Sequence, residues 1–157
     1  MPVTNGRGPA MDIKVKALGL HWRDGRLLAA EVRDEHGRVK GVRPLGGGVD
    51  FGERCEAAVR REFKEELGVD VDIVGGPLVI ESLFTDAGAN GHEIVFVFEV
   101  RFPATEVHER DHIVFHESDG KADVARWYDL DELDRDGYPA LYPEGLKSAL
   151  TTSRATD

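Results

Sequence analysis

The stretch from Gly46 to Val69, GGGVDFGERCEAAVRREFKEELGV, constrains this chain more than any other. Three glycines lead through a short polar turn into a segment, Glu53 to Leu67, that holds neither Pro nor Gly. Gly68 follows where a helix needs a residue able to adopt the left-handed conformation. A helix of about four turns is therefore predicted, with Glu53 at its start, where a negative charge suits the dipole. Ala58, Phe63 and Leu67 fall on one core-facing stripe, helped by Cys55 and Val59, while Arg54, Arg60, Arg61 and Lys64 surround it. Glu62, Glu65 and Glu66 are spaced i, i+3 and i+4, so three carboxylates project from one patch of the helix. At about 5 Å and an effective dielectric of roughly 20, each like-charge pair costs on the order of 3 kcal/mol, so the patch either holds a proton or recruits a cation. Oxygen-only ligands suit Mg²⁺, Mn²⁺ or Ca²⁺ better than zinc, and the glycine stretch beside the helix offers a further carbonyl oxygen.

Gly47, five residues, Glu53, seven residues, Arg61-Glu62, a bulky apolar residue, one residue, Glu65-Glu66, one residue, Gly68 and an aliphatic residue together resemble the signature of the Nudix hydrolase superfamily. The one mild departure is Phe63, where the pattern more often carries an aliphatic side chain, and core filling asks no more of it. The motif covers about a sixth of the chain.

The resemblance implies a single α/β domain, an α/β/α sandwich with a mixed central sheet, the motif helix on one face and a C-terminal helix on the other. It implies that Glu62, Glu65 and Glu66 bind a catalytic divalent metal, Mg²⁺ with Mn²⁺ able to substitute, and that the carbonyl of Gly46 adds a ligand. Glu65 serves either as the third ligand or as the base that orients water. Glu53 and Arg61 would form an ion pair bracing the glycine loop against the helix, with Gly47 and Gly68 completing the structural part of the motif. The implied reaction is hydrolysis of a phosphoanhydride in a nucleoside diphosphate derivative, such as a nucleotide sugar of the ADP-ribose type or a nucleoside triphosphate, by water attack on phosphorus. Two other readings share the fold: a nucleotide-sensing module without catalysis, usually marked by a degenerate motif whereas this one is intact, and a metal-dependent isomerase. Many such enzymes use an additional glutamate as metal ligand or base. Glu93, at the lip of a strand, is the candidate here, with Glu81 its rival. Arg43, followed by Pro44, is either a strand end or a phosphate contact at the mouth of the metal site.

Composition sets bounds on the rest. A chain of 157 residues has the length of one domain, expected here over residues 12–151 between short tails. A formal net charge of −10 argues against a nucleic-acid polymer as partner and for a small nucleotide brought in through the metal. The single Cys55 excludes an intramolecular disulfide. With no apolar run of membrane-spanning length and no signal-like N-terminal segment, a cytoplasmic protein is expected, and a homodimer is compatible with the fold.

In chain order, Ile13 to Trp22 and Arg26 to Val32 read as strands joined at Asp24-Gly25, and Val39 to Leu45 leads to the glycines. Val71 to Val74 and Leu78 to Phe84 read as strands interrupted at Gly75-Gly76-Pro77, followed by a loop over Thr85 to Gly91. Glu93 to Phe102 has the near-continuous apolar character of a strand covered on both faces. His108 to His112 has the spacing HExxH. Pro103 just upstream and the β-branched and aromatic run Ile113-Val114-Phe115 argue for a loop or strand edge, not for the helix a zinc protease needs. A last strand over Ala122 to Tyr128, with Trp127 as a core residue, and a final amphipathic helix opened by Pro143 complete the pattern, with fraying expected from Thr151. Thr85 to Gly91 and Glu106 to Gly120 are the segments expected to select the substrate.

Overall fold

The computed structural model describes residues 11–155 apart from 87, 104–106 and 118, with side chains through Thr152. The expected tail at 1–10 lies outside the described residues. Asp24 and Gly25 both take positive φ, 51° and 78°, and so form the tight turn their dipeptide favours between β2 (Trp22–Arg23) and β3 (Arg26–Arg33). The first strand, β1 (Ile13–Leu20), precedes them. The following strand, β4 (Val39–Gly48), takes in all three glycines, which stand opposite Leu18, Ala17 and Lys16 of β1. The glycine run is thus a strand end and not a loop. At Gly46, with φ 147°, a Cβ would collide with the Ala17 carbonyl, so only glycine lets the two backbones approach.

The motif helix is α1 (Cys55–Leu67), ended by Gly68 with φ 70° and its N–H on the Lys64 carbonyl. Next come β5 (Asp72–Asp86) and β6 (Ala89–Arg101), one long hairpin. Gly75 to Pro77 does not interrupt β5. Register shifts between Ile73 and Gly75 and between Gly75 and Leu78 absorb those residues as a bulge. The loop expected over Thr85 to Gly91 is mostly ladder, since Thr85 faces Asn90 and Asp86 faces Ala89. β7 (His112–His116), β8 (Ala122–Asp129), β9 (Ala140–Leu141) and α2 (Leu146–Ala155) follow, and α2 runs four residues past the point where fraying was expected to begin.

The sheet order is β5-β6-β1-β4-β3-β8-β7, with β2 on β3 and β9 on β4. The β1–β6 and β4–β9 pairings are parallel and the others antiparallel, so the sheet is mixed. Alternation along the strands splits the core in two. Ala17, Leu45, Phe98 and Val100 pack with Ala58, Val59 and Phe63 of α1, whereas Leu18, Val42, Val95 and Val97 pack with Leu146 and Leu150 of α2. The molecule is the expected single-domain α/β/α sandwich, and the two helices occupy opposite faces.

His21 and His108 play a part that no local pattern announces. His21 is 4% exposed, stacks on Phe102 with ring centroids 3.7 Å apart, and brings Nε2 to 2.9 Å from Nδ1 of His108. Arg23 lies over the Trp127 ring at 4.3 Å and donates to the carbonyls of His108 and Arg110, and the Trp127 Nε1–H donates to Arg110. Trp127, expected in the core, is half-buried and packed against it, with its indole nitrogen used in this way. His108 sits in a turn and His112 opens β7, so the HExxH spacing puts no two imidazoles on one helix face.

Burial pushes the His21 imidazole down to about 4, while in the unfolded chain it titrates near the ordinary value. A depressed histidine costs nothing above about pH 6.5, and stability drains away as pH falls from there toward 4 because only the unfolded chain takes the proton. At pH 4.5 this group alone should remove roughly 2–3 kcal/mol. Urea unfolding at pH 7 and pH 4.5 should show a smaller acid loss for His21→Phe than for the parent; equal losses would assign the acid sensitivity elsewhere.

Candidate active site

Arg61 organises the motif. Its Nε and Nη2 each donate to Glu53 at 2.8 Å, Nη2 also donates to the Gly48 carbonyl at 2.9 Å, and Nη1 reaches Glu62 at 3.0 Å and Glu65 at 3.4 Å. One guanidinium therefore ties the end of β4, the turn and two levels of α1 together, a task its planar fork suits. Glu53 precedes the helix, with Arg54 as the N-cap, and its Oε1 also accepts from the Asp50 N–H at 3.2 Å. Hydrogen bonds from Arg61, then the Asp50 N–H, hold the Glu53 carboxyl down at about 2. Arg61 is in turn held more firmly protonated than a free guanidinium.

Glu62 and Glu66 stand one turn apart, and burial, the Glu62 charge and a hydrogen bond with Glu62 push the Glu66 carboxyl up to about 8. The pair therefore disfavours a second full negative charge unless a cation joins it. Gly47 is what lets it form there, since a Cβ at that position would run into the Glu62 carboxylate. Glu65 is more exposed, and its carboxylate lies 3.4 Å from the same Arg61 nitrogen that reaches Glu62. The structure thus joins two of the three motif glutamates and sets the third on the brace. Among the described residues, no three His, Cys, Asp or Glu side chains converge closely enough to enclose an ion. The donor set nevertheless fits Mg²⁺, which is usually held by one or two carboxylates while waters and substrate phosphates complete its shell.

Two glutamates from outside the motif are candidates, Glu93 and Glu81. Glu93 lines a cavity of about 260 Å³ and acts electrostatically on Lys16, on which Glu62 also acts, and it is not among the largest influences on Glu66. Glu81 is exposed, with a carboxylate oxygen 3.2 Å from His92. The residue within electrostatic reach of Glu66 is instead Glu117, just beyond β7, whose own carboxyl is raised by burial and by Asp123. No signal in the sequence could have found it, because only the folding of β7 and β8 brings it there.

The cavity lies between β1, β4, the β5–β6 hairpin and the segment leading into α2. Lys16 and Arg43 line it and connect it to the carboxylates: Glu62 acts on Lys16, and the Arg43 charge opposes the upward shift of Glu66. Among the described residues neither cation has a carboxylate within ion-pair distance, and the buried Arg43 Nε has no hydrogen-bond partner. Val32, Phe84, Tyr142 and Pro143 supply its apolar wall. Among the described residues no helix is long and apolar enough to cross a membrane.

Comparison with known proteins identifies the family and the fold. Over 46 residues the chain is 50% identical to a nucleoside triphosphatase NudI of Escherichia coli O139:H28, a match spanning 29% of this chain and 33% of that protein. A MutT NUDIX hydrolase from Burkholderia pseudomallei superposes with a TM-score of 0.55 at 27% identity, covering 87% of this chain and 95% of that one. An ADP-ribose pyrophosphatase from Streptococcus suis has the same fold at 17% identity and a TM-score of 0.51, covering 93% and 94%. The model of the NUDIX domain matches residues 14–147, so the chain belongs to the NUDIX domain family.

Proposed function

We propose that the chain is a Mg²⁺-dependent hydrolase of a phosphoanhydride bond in a small nucleotide, acting in the cytoplasm. The observation that carries this is the half-buried Glu62–Glu66 pair, joined through Arg43 and Lys16 to a cavity in which those two cations lack carboxylate partners among the described residues. Mg²⁺ held by Glu62 and Glu66, with the Gly46 carbonyl as a further ligand and Mn²⁺ as a substitute, would supply neutralisation of the phosphates and a water acidified for attack on phosphorus. Arg43 and Lys16 bind phosphate oxygens, the guanidinium of the former having its buried Nε without a partner among the described residues. Glu65, kept near the pair by Arg61, is a third ligand or orients water. Glu117, and not Glu93, is the extra glutamate that acts as base or ligand, and Glu93 instead steadies Lys16.

A cavity of about 260 Å³ is small for a ligand site and suits one nucleoside. Together with the nucleoside triphosphatase and MutT relatives, this favours a nucleoside triphosphate over a nucleotide sugar or a dinucleotide. Release of phosphate and pyrophosphate should be followed across nucleoside triphosphates, ADP-ribose and other nucleotide sugars, and dinucleotides with Mg²⁺. A triphosphate with the highest kcat/KM is expected. Preference for ADP-ribose would move the assignment to nucleotide sugars, and binding without cleavage of any member would make the chain a nucleotide sensor.

A further inference from the structure

The cavity is electrically divided. Of the three basic side chains that line it, Lys16 and Arg43 are linked to the carboxylate pair, whereas Lys40 has its ammonium 2.9 Å from the Asp86 carboxylate. Strand geometry separates the two ends: Lys40 and Gly47 are seven residues apart on β4, roughly 23 Å, with Arg43 between them. The Lys40 end thus lies far from the bond to be cleaved and next to Phe84 and Tyr142. The Tyr142 ring is seated against Gly41, where a Cβ would collide with it, and Phe84 is seated in the same way against Gly91.

Asp86 reaches Lys40 from a projecting arm. Pairing between β1 and β6 begins at Ile13 and His92, so among the described residues Phe84 to Asp86 and Ala89 to Gly91 are paired only with each other. The Lys40–Asp86 contact therefore bridges 46 positions of sequence and ties this arm to β4 across the cavity. It leaves the far end with aromatic walls and no net charge from the pair.

We infer that the Lys40–Asp86 ion pair sets substrate selectivity, admitting an uncharged ring at the end remote from the scissile bond and rejecting a nucleotide that carries another phosphate there. A phosphate entering that end would have to displace Asp86 from Lys40 and would then face the expelled carboxylate. This rests on the reading of the cavity as the nucleotide site, and it makes Lys40 and Asp86 specificity residues, not catalytic ones.

Nucleoside 5′-monophosphates and nucleoside 3′,5′-bisphosphates contain no phosphoanhydride, so their binding can be measured by calorimetry without turnover. With Mg²⁺ and the four common bases, the parent protein should bind a 5′-monophosphate more tightly than its 3′,5′-bisphosphate. Asp86→Asn, which frees the ammonium, should move the ratio of the two affinities toward the bisphosphate by about five- to tenfold. Lys40→Met, which leaves the carboxylate unopposed, should move it the other way, and Lys40→Met with Asp86→Asn should bring it back near the parent value. An unchanged ratio in Asp86→Asn, in a variant with the parent melting temperature, would overturn this inference while leaving the cavity as the nucleotide site. Should Asp86→Asn melt lower, the Lys40→Met variant and the double variant decide by the same criterion. Failure of the parent to bind any 5′-monophosphate would overturn the cavity reading and this inference together.

Discussion

Glu66→Gln should lower kcat by about a thousandfold or more while leaving the metal-free fold at least as stable as the parent. The two halves of this expectation have one cause. Glu66 is half-buried beside Glu62 and pushed up to about 8, so in the absence of a cation its charge is unwelcome and an uncharged amide of the same shape removes the conflict. On the proposed reading the same substitution replaces one of the two carboxylates that would hold Mg²⁺ with a neutral, weaker amide ligand. Single-turnover rates and thermal melts on the same preparations check both halves. A variant that loses activity because it melts much lower would show that the residue serves packing, and one that keeps activity would remove Glu66 from the site.

Arg61→Ala is expected to be the most damaging single change to the structure of the motif. It deletes hydrogen bonds to Glu53, to the Gly48 carbonyl, to Glu62 and to Glu65, leaving carboxylates on the helix and the turn without their shared partner. Arg61 is partly solvated, its side chain 29% exposed, which discounts the electrostatic loss. We expect about 2–3 kcal/mol of stability lost and kcat reduced by roughly a hundredfold through displacement of Glu62. Arg61→Lys should recover little, because an ammonium cannot span Glu53 and Gly48 in the plane that the guanidinium fork provides. Denaturant unfolding with steady-state kinetics tests this, and rescue by lysine would show that charge alone, not the fork, holds the motif.

The parts of this molecule that were legible in the sequence are those whose geometry is local. Three carboxylates at i, i+3 and i+4, a glycine after Leu67 and apolar residues at helical spacing define α1 without reference to the rest of the chain. The Glu53–Arg61 contact belongs to the same class, since eight residues separate its partners. What the spacing could not show is that one Arg61 nitrogen reaches both Glu62 and Glu65, because the placing of that guanidinium depends on where the end of β4 puts the Gly48 carbonyl.

Glycines misled the reading twice, for one reason. Gly46 to Gly48 and Gly75 to Gly76 look like chain breaks, yet they lie within strands, where the lack of a Cβ allows close backbone approach in one case and a bulge in the other. The long-range partners were not visible at all. Glu117 reaches Glu66 from the end of β7, His108 reaches His21 across 87 positions, and Tyr142 meets Gly41 through a two-residue parallel strand. Each depends on the order of strands in the sheet, which the alternation of apolar residues does not encode.

The account stands on a divalent ion being held by the Glu62–Glu66 pair, and Mn²⁺ titration of the metal-free protein, read by electron paramagnetic resonance, tests that without recourse to turnover. The parent should bind Mn²⁺ with Mg²⁺ able to displace it, Glu81→Gln should bind as the parent does, and Glu62→Gln with Glu66→Gln should lose the site while keeping its fold. Undiminished Mn²⁺ binding in that double variant would contradict the account, because the ion would then be held by other residues and the Glu62–Glu66 pair would have no part in the chemistry.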